Sequence, residues 1–168
     1  MKSYFLIFFL SVLSVVSYAQ SKIGYVDSDA IMDELSDAQD ARRQLDGFIQ
    51  EWQAELSKLE KEWKDKYNDY EKRKLIMSDP VRAEVEGELV KMEQKIAEYR
   101  EKKFGTNGEL FLKQDELMKP IQNKIFTVIK QVAEQEDYDF VFDRSGGILM
   151  LYAKEKHDLT ATVLAKLK

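Results

Sequence analysis

Apolar residues recur at alternating intervals of four and three along the first half of the chain. The series has fourteen positions, of which eleven are apolar or aromatic: Ile31, Leu35, Ala38, Arg42, Leu45, Ile49, Trp52, Leu56, Leu59, Trp63, Lys66, Tyr70, Arg73 and Met77. This spacing places one narrow apolar stripe on a helix, and its persistence over more than six heptads is typical of a coiled coil. The pattern predicts a helix over residues 31–77, roughly 70 Å long.

A second helix with the same stripe follows a tight turn. Ser78, Asp79 and Pro80 end the first pattern, because Asp is a good N-cap and Pro fits the first helical turn. The stripe of the second helix contains Val85, Leu89, Met92, Ile96 and Tyr99. Two such helices, adjacent in sequence, are predicted to form an antiparallel coiled-coil hairpin over residues 31–118, with its tip near 78–80.

The returning helix contains one irregular stretch, Phe104-Gly-Thr-Asn-Gly108. Beyond it the stripe resumes with Phe111, Met118, Ile125 and Val132. Reflection about the turn places Gly105 opposite Trp52, so one interpretation is that the glycines make room for a bulky side chain. The other is a hinge, since each Gly costs about 1 kcal/mol of helix stability relative to Ala. The sequence leaves both open.

The two ends of the chain predict a small α/β body. Residues 22–27 are rich in β-branched and aromatic types and predict a strand, after which Ser28 or Asp29 can cap a helix. Residues 138–143 alternate as a half-buried strand, and the turn Ser145-Gly146-Gly147 predicts a β-hairpin with residues 148–153.

The rest of the body is predicted to be helical. Pro120 kinks or restarts the returning helix, and Asp158 caps a last helix that turns Leu159, Val163, Leu164 and Leu167 inward. The expected fold is therefore mainly α with a small β base, in which the body comprises residues 20–30 and 119–168.

A body of this size buries too little surface to be stable alone, and its strand edges would be open to pairing with another chain. Oligomerisation through the body would solve both problems. The residues expected in the shared core are Tyr25, Phe140, Phe142, Leu149 and Leu151.

The N-terminus has the pattern of a secretory signal peptide. Lys2 precedes an apolar run from Tyr4 to Val16, and Ser17-Tyr18-Ala19 matches the small-x-small cleavage site. An uncleaved membrane anchor is the alternative, but a spanning helix needs about 20 apolar residues and the polar Gln20 follows too early. We expect residues 1–19 to be removed after Ala19 and the product to reach the periplasm.

Composition disfavours catalysis and most ligands. The net charge of −5 gives no reason to expect nucleic acid as a partner, and the absence of Cys excludes disulfides, thiolate metal sites and a lipid-modified cysteine. His157 is the only histidine, and no phosphate-binding G-x-x-x-x-G-K motif occurs. We expect a protein that is not an enzyme and has no metal or cofactor.

Two groups of residues are candidates for contact with other macromolecules. Phe48 and Tyr67 flank the apolar stripe, while Trp52 and Trp63 are large for a two-helix seam and could equally be plain hairpin core. The second group is at the tip, where a basic run precedes an apolar cluster that the body cannot cover. Its members are Lys72, Arg73, Lys74, Leu75, Ile76 and Met77.

With this layout, the chain resembles the Skp/OmpH family of periplasmic chaperones over nearly all of its expected mature length. The matching stretches are residues 22–27, 116–125, 138–144, 149–153 and the helix that starts at Asp158. The resemblance implies a homotrimer with a β-strand body and three helical arms around a cavity. It also implies that the protein holds unfolded outer-membrane proteins without ATP until they are inserted.

This chain departs from the family in charge. Well-known members are strongly basic, whereas residues 58–91 here contain nine basic and nine acidic side chains. Only residues 61–77 are positive, with six basic against four acidic side chains. Charge steering of clients is therefore in doubt, and no lipopolysaccharide or membrane contact follows from these residues. The competing hypothesis is a cell-envelope structural or adaptor protein whose hairpin docks one folded partner.

Overall fold

The computed structural model describes residues 21–147 and 149–168, so the expected signal peptide and Ile148 lie outside the described residues. In chain order the elements are strand β1 (Ile23–Val26), helices α1 (Ser28–Glu34), α2 (Ser36–Arg73), α3 (Asp79–Phe104) and α4 (Glu109–Gln135), strand β2 (Phe140–Asp143), a 3₁₀ turn (Glu155–His157) and helix α5 (Thr160–Leu167). The prediction of a mainly helical protein with a small sheet is confirmed.

The predicted first helix is divided in two at Leu35. Leu35 has an extended backbone (φ −81°, ψ 124°) and a buried side chain, so α1 ends there and α2 begins one residue later. The N-cap of α1 is Asp27, whose carboxylate accepts a hydrogen bond from the Ala30 N–H at 2.9 Å, and neither Ser28 nor Asp29 serves as the cap. Helix α2 has 38 residues and is therefore about 57 Å long.

Helix α2 packs against both α3 and α4, and the predicted stripe faces these neighbours. Of its members, Ala38, Trp52 and Leu59 are buried, while Arg42 and Arg73 are exposed. Polar contacts between α2 and α3 join Tyr70 to Glu86, Lys66 to Glu88 and Glu60 to Arg100. In these three contacts, residues later in α2 pair with residues earlier in α3.

The body core gathers both ends of the chain around α4. Helix α4 is continuous through Pro120, so the helix does not restart there, and it contributes Ile121, Ile125 and Val132 to the core. Val163 and Leu167 of helix α5, and Leu159 immediately before it, are buried as predicted, whereas Leu164 is half-buried. The Asp158 carboxylate accepts a hydrogen bond from the Thr160 N–H. The other buried members are Val26, Ile31, Met32, Leu35, Ala38 and Ala41.

The sheet differs from the predicted β-hairpin. β2 pairs in parallel with β1, with Ile23 opposite Phe140 and Tyr25 opposite Phe142. Residues 149–153 form no strand, and Leu149, Leu151 and Tyr152 are largely exposed. The parallel pairing places Val26 and Val141 on the same face, where both pack on the body core.

Candidate functional site

Four aromatic side chains on α2 form two stacked pairs. Phe48 stacks on Trp52 with ring centroids 5.6 Å apart, and Trp63 stacks on Tyr67 at 5.2 Å. Each pair is spaced by four residues, which places both rings on the same side of the helix. Trp52 is only 7% exposed, Phe48 and Trp63 are half-buried, and Tyr67 is 39% exposed.

Trp52 is enclosed by the end of α3. The ring of Phe104 meets it edge-on, and the Lys103 ammonium lies 4.5 Å from its ring centroid. Lys103 also pairs with Glu109 at the start of α4, and this hydrogen bond holds the pKa of the Glu109 carboxyl below its ordinary value. The burial of Trp52 fits packing between helices, so it is not part of the contact surface proposed below.

The two glycines after Phe104 form a tight backbone turn between α3 and α4. A Cβ atom on Gly105 would lie 2.4 Å from the Glu101 carbonyl oxygen, and one on Gly108 would lie 3.0 Å from backbone atoms of Gly105 and Lys102. Trp52 is not among the three nearest neighbours of either position. The nearest limit on the space at Gly105 is therefore Glu101 of the preceding turn, and the expectation that Gly105 makes room for Trp52 stays a prediction.

Trp63 borders a groove of about 390 Å³ between α2 and α3. The Glu60–Arg100 ion pair lies on its wall, and Ile96 and Ala97 form its apolar floor. The indole N–H of Trp63 is buried without a hydrogen-bond partner in the described part of the chain. Because Tyr67 is 39% exposed and Trp63 is half-buried, the Trp63–Tyr67 pair is partly accessible to a partner.

The turn between α2 and α3 presents the most exposed aliphatic side chains of the hairpin region. Leu75 is 90% exposed and Ile76 is 84% exposed, and Met77 is half-buried. Among the basic residues before them, Arg73 pairs with Asp69 at 3.0 Å and Lys74 with Glu71 at 2.8 Å. Lys72 makes no ion pair within the part of the chain that the structure describes.

Helix α4 exposes apolar residues that sequence reasoning did not select. Phe111 and Phe126 are 54% and 58% exposed, and Leu112 is similarly exposed. The three lie on one flank of α4, beside the face that Ile121 and Ile125 bury. Phe111 belongs to the predicted stripe but is exposed, whereas Met118, Ile125 and Val132 of the same stripe are half-buried or buried. The signal was present in the apolar pair Phe111-Leu112, which exceeds what a narrow stripe can bury.

The outer face of the sheet is also apolar. The register brings Ile23, Tyr25, Phe140 and Phe142 to the face opposite the body core. Phe140 and Phe142 are exposed, whereas Tyr25 is buried and borders a cavity of about 490 Å³ that is also lined by Arg144 and residues 149–153. The five residues expected in a shared core thus lie on one side of the body.

A network of hydrogen bonds fixes the end of β2 beside α1. The Asp143 carboxylate accepts hydrogen bonds from the Ser28 and Ser145 hydroxyls and backbone N–H groups. Partial burial alone would raise the pKa of Asp143, but these hydrogen bonds outweigh it and hold the pKa below its ordinary value. Beside it, Arg144 Nε donates to Asp27 at 2.9 Å.

The described residues show no group of three His, Cys, Asp or Glu side chains placed to hold a metal ion. Over the same residues, no helix is long and apolar enough to cross a membrane.

Comparisons with known proteins agree with this architecture. Residues 22–167 match the family model described as outer membrane protein (OmpH-like). The chaperone protein Skp of Vibrio cholerae serotype O1 is 24% identical over 158 residues, which cover 94% of this chain and 90% of that protein.

The fold is shared with a solved structure. A crystal structure described as an OmpH-like outer membrane chaperone from Caulobacter crescentus CB15 superposes with a TM-score of 0.72 at 15% identity, covering 89% of this chain and 85% of that one. Because the family model spans nearly the whole described chain, the protein belongs to the OmpH-like outer membrane protein family.

Proposed function

We propose that this protein is a periplasmic holdase chaperone, which binds unfolded outer-membrane proteins and prevents their aggregation before membrane insertion. The observation that carries the proposal is the set of large apolar side chains left exposed along the helices and the body. Their family context supports it, since the similar protein of Vibrio cholerae is named chaperone protein Skp. We further propose that the protein is not an enzyme and needs no cofactor.

The proposed assembly is a homotrimer held together by the body. The exposed outer face of the sheet, with Phe140 and Phe142, and the unpaired segment 149–153 supply apolar surface and open backbone groups. Partner copies would cover both, and would bury Tyr25, Leu149 and Leu151 with them. In this assembly α2 and α3 form an antiparallel coiled-coil arm, three of which surround a cavity.

The proposed client surface combines the accessible aromatic residues of the arm with the exposed flank of α4. On α2 it includes Phe48, Trp63 and Tyr67, and on α4 it adds Phe111, Leu112 and Phe126. Each side chain offers limited apolar area, and charged residues lie between them. Discontinuous apolar contacts suit a flexible client better than they suit one folded partner, which would need a contiguous complementary patch.

A holdase without ATP must hold its client tightly and still release it. Many weak contacts meet both demands, because linking three arms makes each further contact intramolecular and raises its effective concentration. Release then needs no energy input, since each contact opens by itself and a folding or inserting client removes its apolar segments from solution.

Export is part of the same proposal. The pattern of residues 1–19 supports a cleaved leader, and cleavage after Ala19 would release the chain from Gln20 onward into the periplasm.

The test is suppression of aggregation. Light scattering of an outer-membrane barrel protein diluted from urea should fall when stoichiometric protein is added without ATP. The double variant Phe111→Ser/Leu112→Ser should protect several-fold less, while Gln114→Ser, an exposed position on the same helix, should protect normally. Failure of the unmodified protein to suppress aggregation, combined with binding of a single folded envelope protein, would favour the adaptor hypothesis.

A further inference from the structure

The outer face of the two-stranded sheet carries three large apolar side chains that the described chain leaves uncovered. The pairing of β1 with β2 sets Ile23 beside Phe140, and Phe142 follows on the same face. Ile23 is 48% exposed, Phe140 is 56% exposed and Phe142 is 42% exposed. We call these three residues the sheet patch. Large apolar side chains grouped in this way are costly to expose to water, so a cover over the sheet patch would stabilise the protein.

Further open apolar surface lies next to the beginning of β1. Leu149, Leu151 and Tyr152 are 84%, 86% and 81% exposed. Tyr152 lines a cavity of about 690 Å³ together with Ser21 and Ile23. The point at which the chain enters the sheet is therefore bordered by uncovered apolar residues.

An apolar segment of the same chain is attached at this point. Residues 4–16 contain no charged side chain, and they precede the described chain, which starts at Ser21. Val16 is separated from Ile23 by seven residue steps, which span at most about 25 Å when the chain is extended. The apolar run can therefore reach the sheet patch of its own molecule.

We infer that residues 4–16 cover the sheet patch in the uncleaved precursor and keep the chain from assembling until the leader is removed. The inference rests on the proposed function, because it requires the cleavage after Ala19 and the homotrimer. Since the proposed trimer buries the sheet patch, the leader and a partner copy compete for the same apolar residues. The occupant of the patch in the precursor is the chain's own leader, and in the mature protein it is a second copy of the body.

The leader is favoured in this competition as long as it stays attached. A segment on a short flexible linker has an effective concentration in the millimolar range at its site, whereas separate copies of the chain meet at roughly micromolar concentration. Even a weak contact of the leader therefore displaces partner copies. Cleavage after Ala19 breaks the linkage, so any further contact of the leader is intermolecular and this advantage is lost.

The timing of assembly follows from the small size of the body. The body core consists of short stretches from both ends of the chain packed on α4, and a body of this size buries too little surface to be stable alone. A precursor that cannot assemble therefore lacks the stability that the trimer provides. Stable assembly is thereby deferred until the leader has been removed, after export.

The first experiment compares the assembly of the precursor, residues 1–168, with that of the mature chain, residues 20–168, recovered after export with its own leader. Both are diluted from urea without membranes, and size-exclusion chromatography with light scattering measures the oligomeric state over a range of protein concentrations. The precursor variant Leu6→Asn/Leu10→Asn/Leu13→Asn is the matched control, since it keeps the length of the leader and removes its apolar character. Circular dichroism verifies that each protein is helical.

The mature chain and the triple-Asn precursor should form the trimer over the same range of concentrations. The unmodified precursor should need about tenfold more protein or higher to assemble, as expected for an intramolecular competitor at high effective concentration. Below that concentration it should be monomeric.

The second experiment locates the leader by disulfide cross-linking. The sequence contains no Cys, so a disulfide can form only between two introduced residues. Ser11→Cys in the leader is combined with Phe140→Cys in the sheet patch, or with Gln53→Cys on the exposed surface of α2 as the control. In dilute precursor under mild oxidation, the pair with Phe140→Cys should cross-link within one chain several-fold faster than the pair with Gln53→Cys. Non-reducing gels measure both rates.

Four results would overturn the inference. The first is assembly of the unmodified precursor at the same concentration as the mature chain. The second is failure of the triple-Asn precursor to assemble, which would assign the delay to the length of the leader. The third is equal cross-linking at the two introduced positions. The fourth is association of the precursor into particles larger than the trimer, which would show that the leader binds other copies.

Failures of the proposed function look different from these results. If the proposed trimer is wrong, the mature chain stays monomeric, and the cross-linking rates still decide whether the leader covers the sheet patch. If the holdase proposal is wrong, the mature trimer forms without protecting a denatured barrel protein, and the comparison between precursor and mature chain is unaffected.

Discussion

The ring of Phe104 meets the ring of Trp52 edge-on, with the ring centroids 6.1 Å apart. Phe104 is the last residue of α3, so this contact ties the end of α3 to the middle of α2 immediately before the chain turns at Gly105. Because Lys103 covers the Trp52 ring and pairs with Glu109, the contact also connects the beginning of α4. Trp52 thus packs against the end of α3, and Lys103 extends this junction to α4.

Trp52→Ala should destabilise this junction strongly. Removing a buried Trp deletes its packing and leaves a cavity, at a cost of about 3–5 kcal/mol in the free energy of unfolding. Urea denaturation followed by circular dichroism measures the loss, at one protein concentration because the proposed oligomer makes stability concentration-dependent. Gln53→Ala, at the exposed neighbouring position, is the control and should change little. Equal stability of the two variants would show that Trp52 packs loosely.

Gly105→Ala should also destabilise the protein, even though Gly105 has an ordinary negative φ of −63°. The added Cβ would lie 2.4 Å from the Glu101 carbonyl oxygen, so the backbone must shift, at a cost of about 1–3 kcal/mol. Gly87→Ala is the matched control, since nothing lies within 4 Å of a Cβ there, and it should stabilise α3 by about 0.5–1 kcal/mol. If Gly105→Ala were as stabilising as Gly87→Ala, the turn would be a flexible hinge with no steric requirement for glycine.

Lowering the pH should destabilise the folded body by protonating the Asp143 carboxylate. Its folded-state pKa is held below the ordinary value of 3.8, so its stabilising contribution is fully present above that value and is lost as the pH falls through the lowered pKa. The difference in unfolding free energy between the unmodified protein and Asp143→Asn should therefore be largest above about pH 4 and shrink below it. Asp46→Asn, on the exposed surface of α2, should show a small difference at every pH. A difference that stays constant with pH would contradict the role given to the carboxylate.

Multi-angle light scattering should report a homotrimer at micromolar concentration. Phe142→Asp should dissociate or unfold it, because the substitution places a charge in the proposed apolar contact between bodies. Val90→Asp, at an exposed apolar position on α3 away from the body, should leave the trimer intact. A stable, folded monomer of the unmodified protein in this measurement would contradict the proposed trimer.

Client binding should depend more on aromatic residues than on charge. Phe48→Ala combined with Tyr67→Ala should weaken protection of a denatured barrel protein more than replacing Lys72, Arg73 and Lys74 together by Gln. The reason is that residues 58–91 are charge-balanced and physiological salt screens exposed charges beyond about 8 Å. Affinities measured at low and high salt provide the comparison. A collapse of binding with salt, or with loss of the three cations, would reverse the assignment.

The sequence by itself determined the helices and the inward face of α2. Twelve of the fourteen stripe positions from Ile31 to Met77 are buried or half-buried, and the exceptions are Arg42 and Arg73. This was predictable because helical periodicity is a local property, set by which side chains can share one face. Equally local rules predict three further features, which are strand β1, the proline in the first turn of α3 and the inward residues of α5.

The tertiary structure decided everything that depends on residues distant in sequence. It divided the first helix at Leu35, because the extended backbone there lets this side chain enter the body core. It paired β2 with β1, more than a hundred residues away, and this pairing puts Val26 and Val141 on the same core. It left Phe111 exposed near the start of α4, although Ile125 and Val132 of the same predicted stripe are buried. Local patterns state which residues are apolar, but only the packing of the whole chain determines which of them remain uncovered.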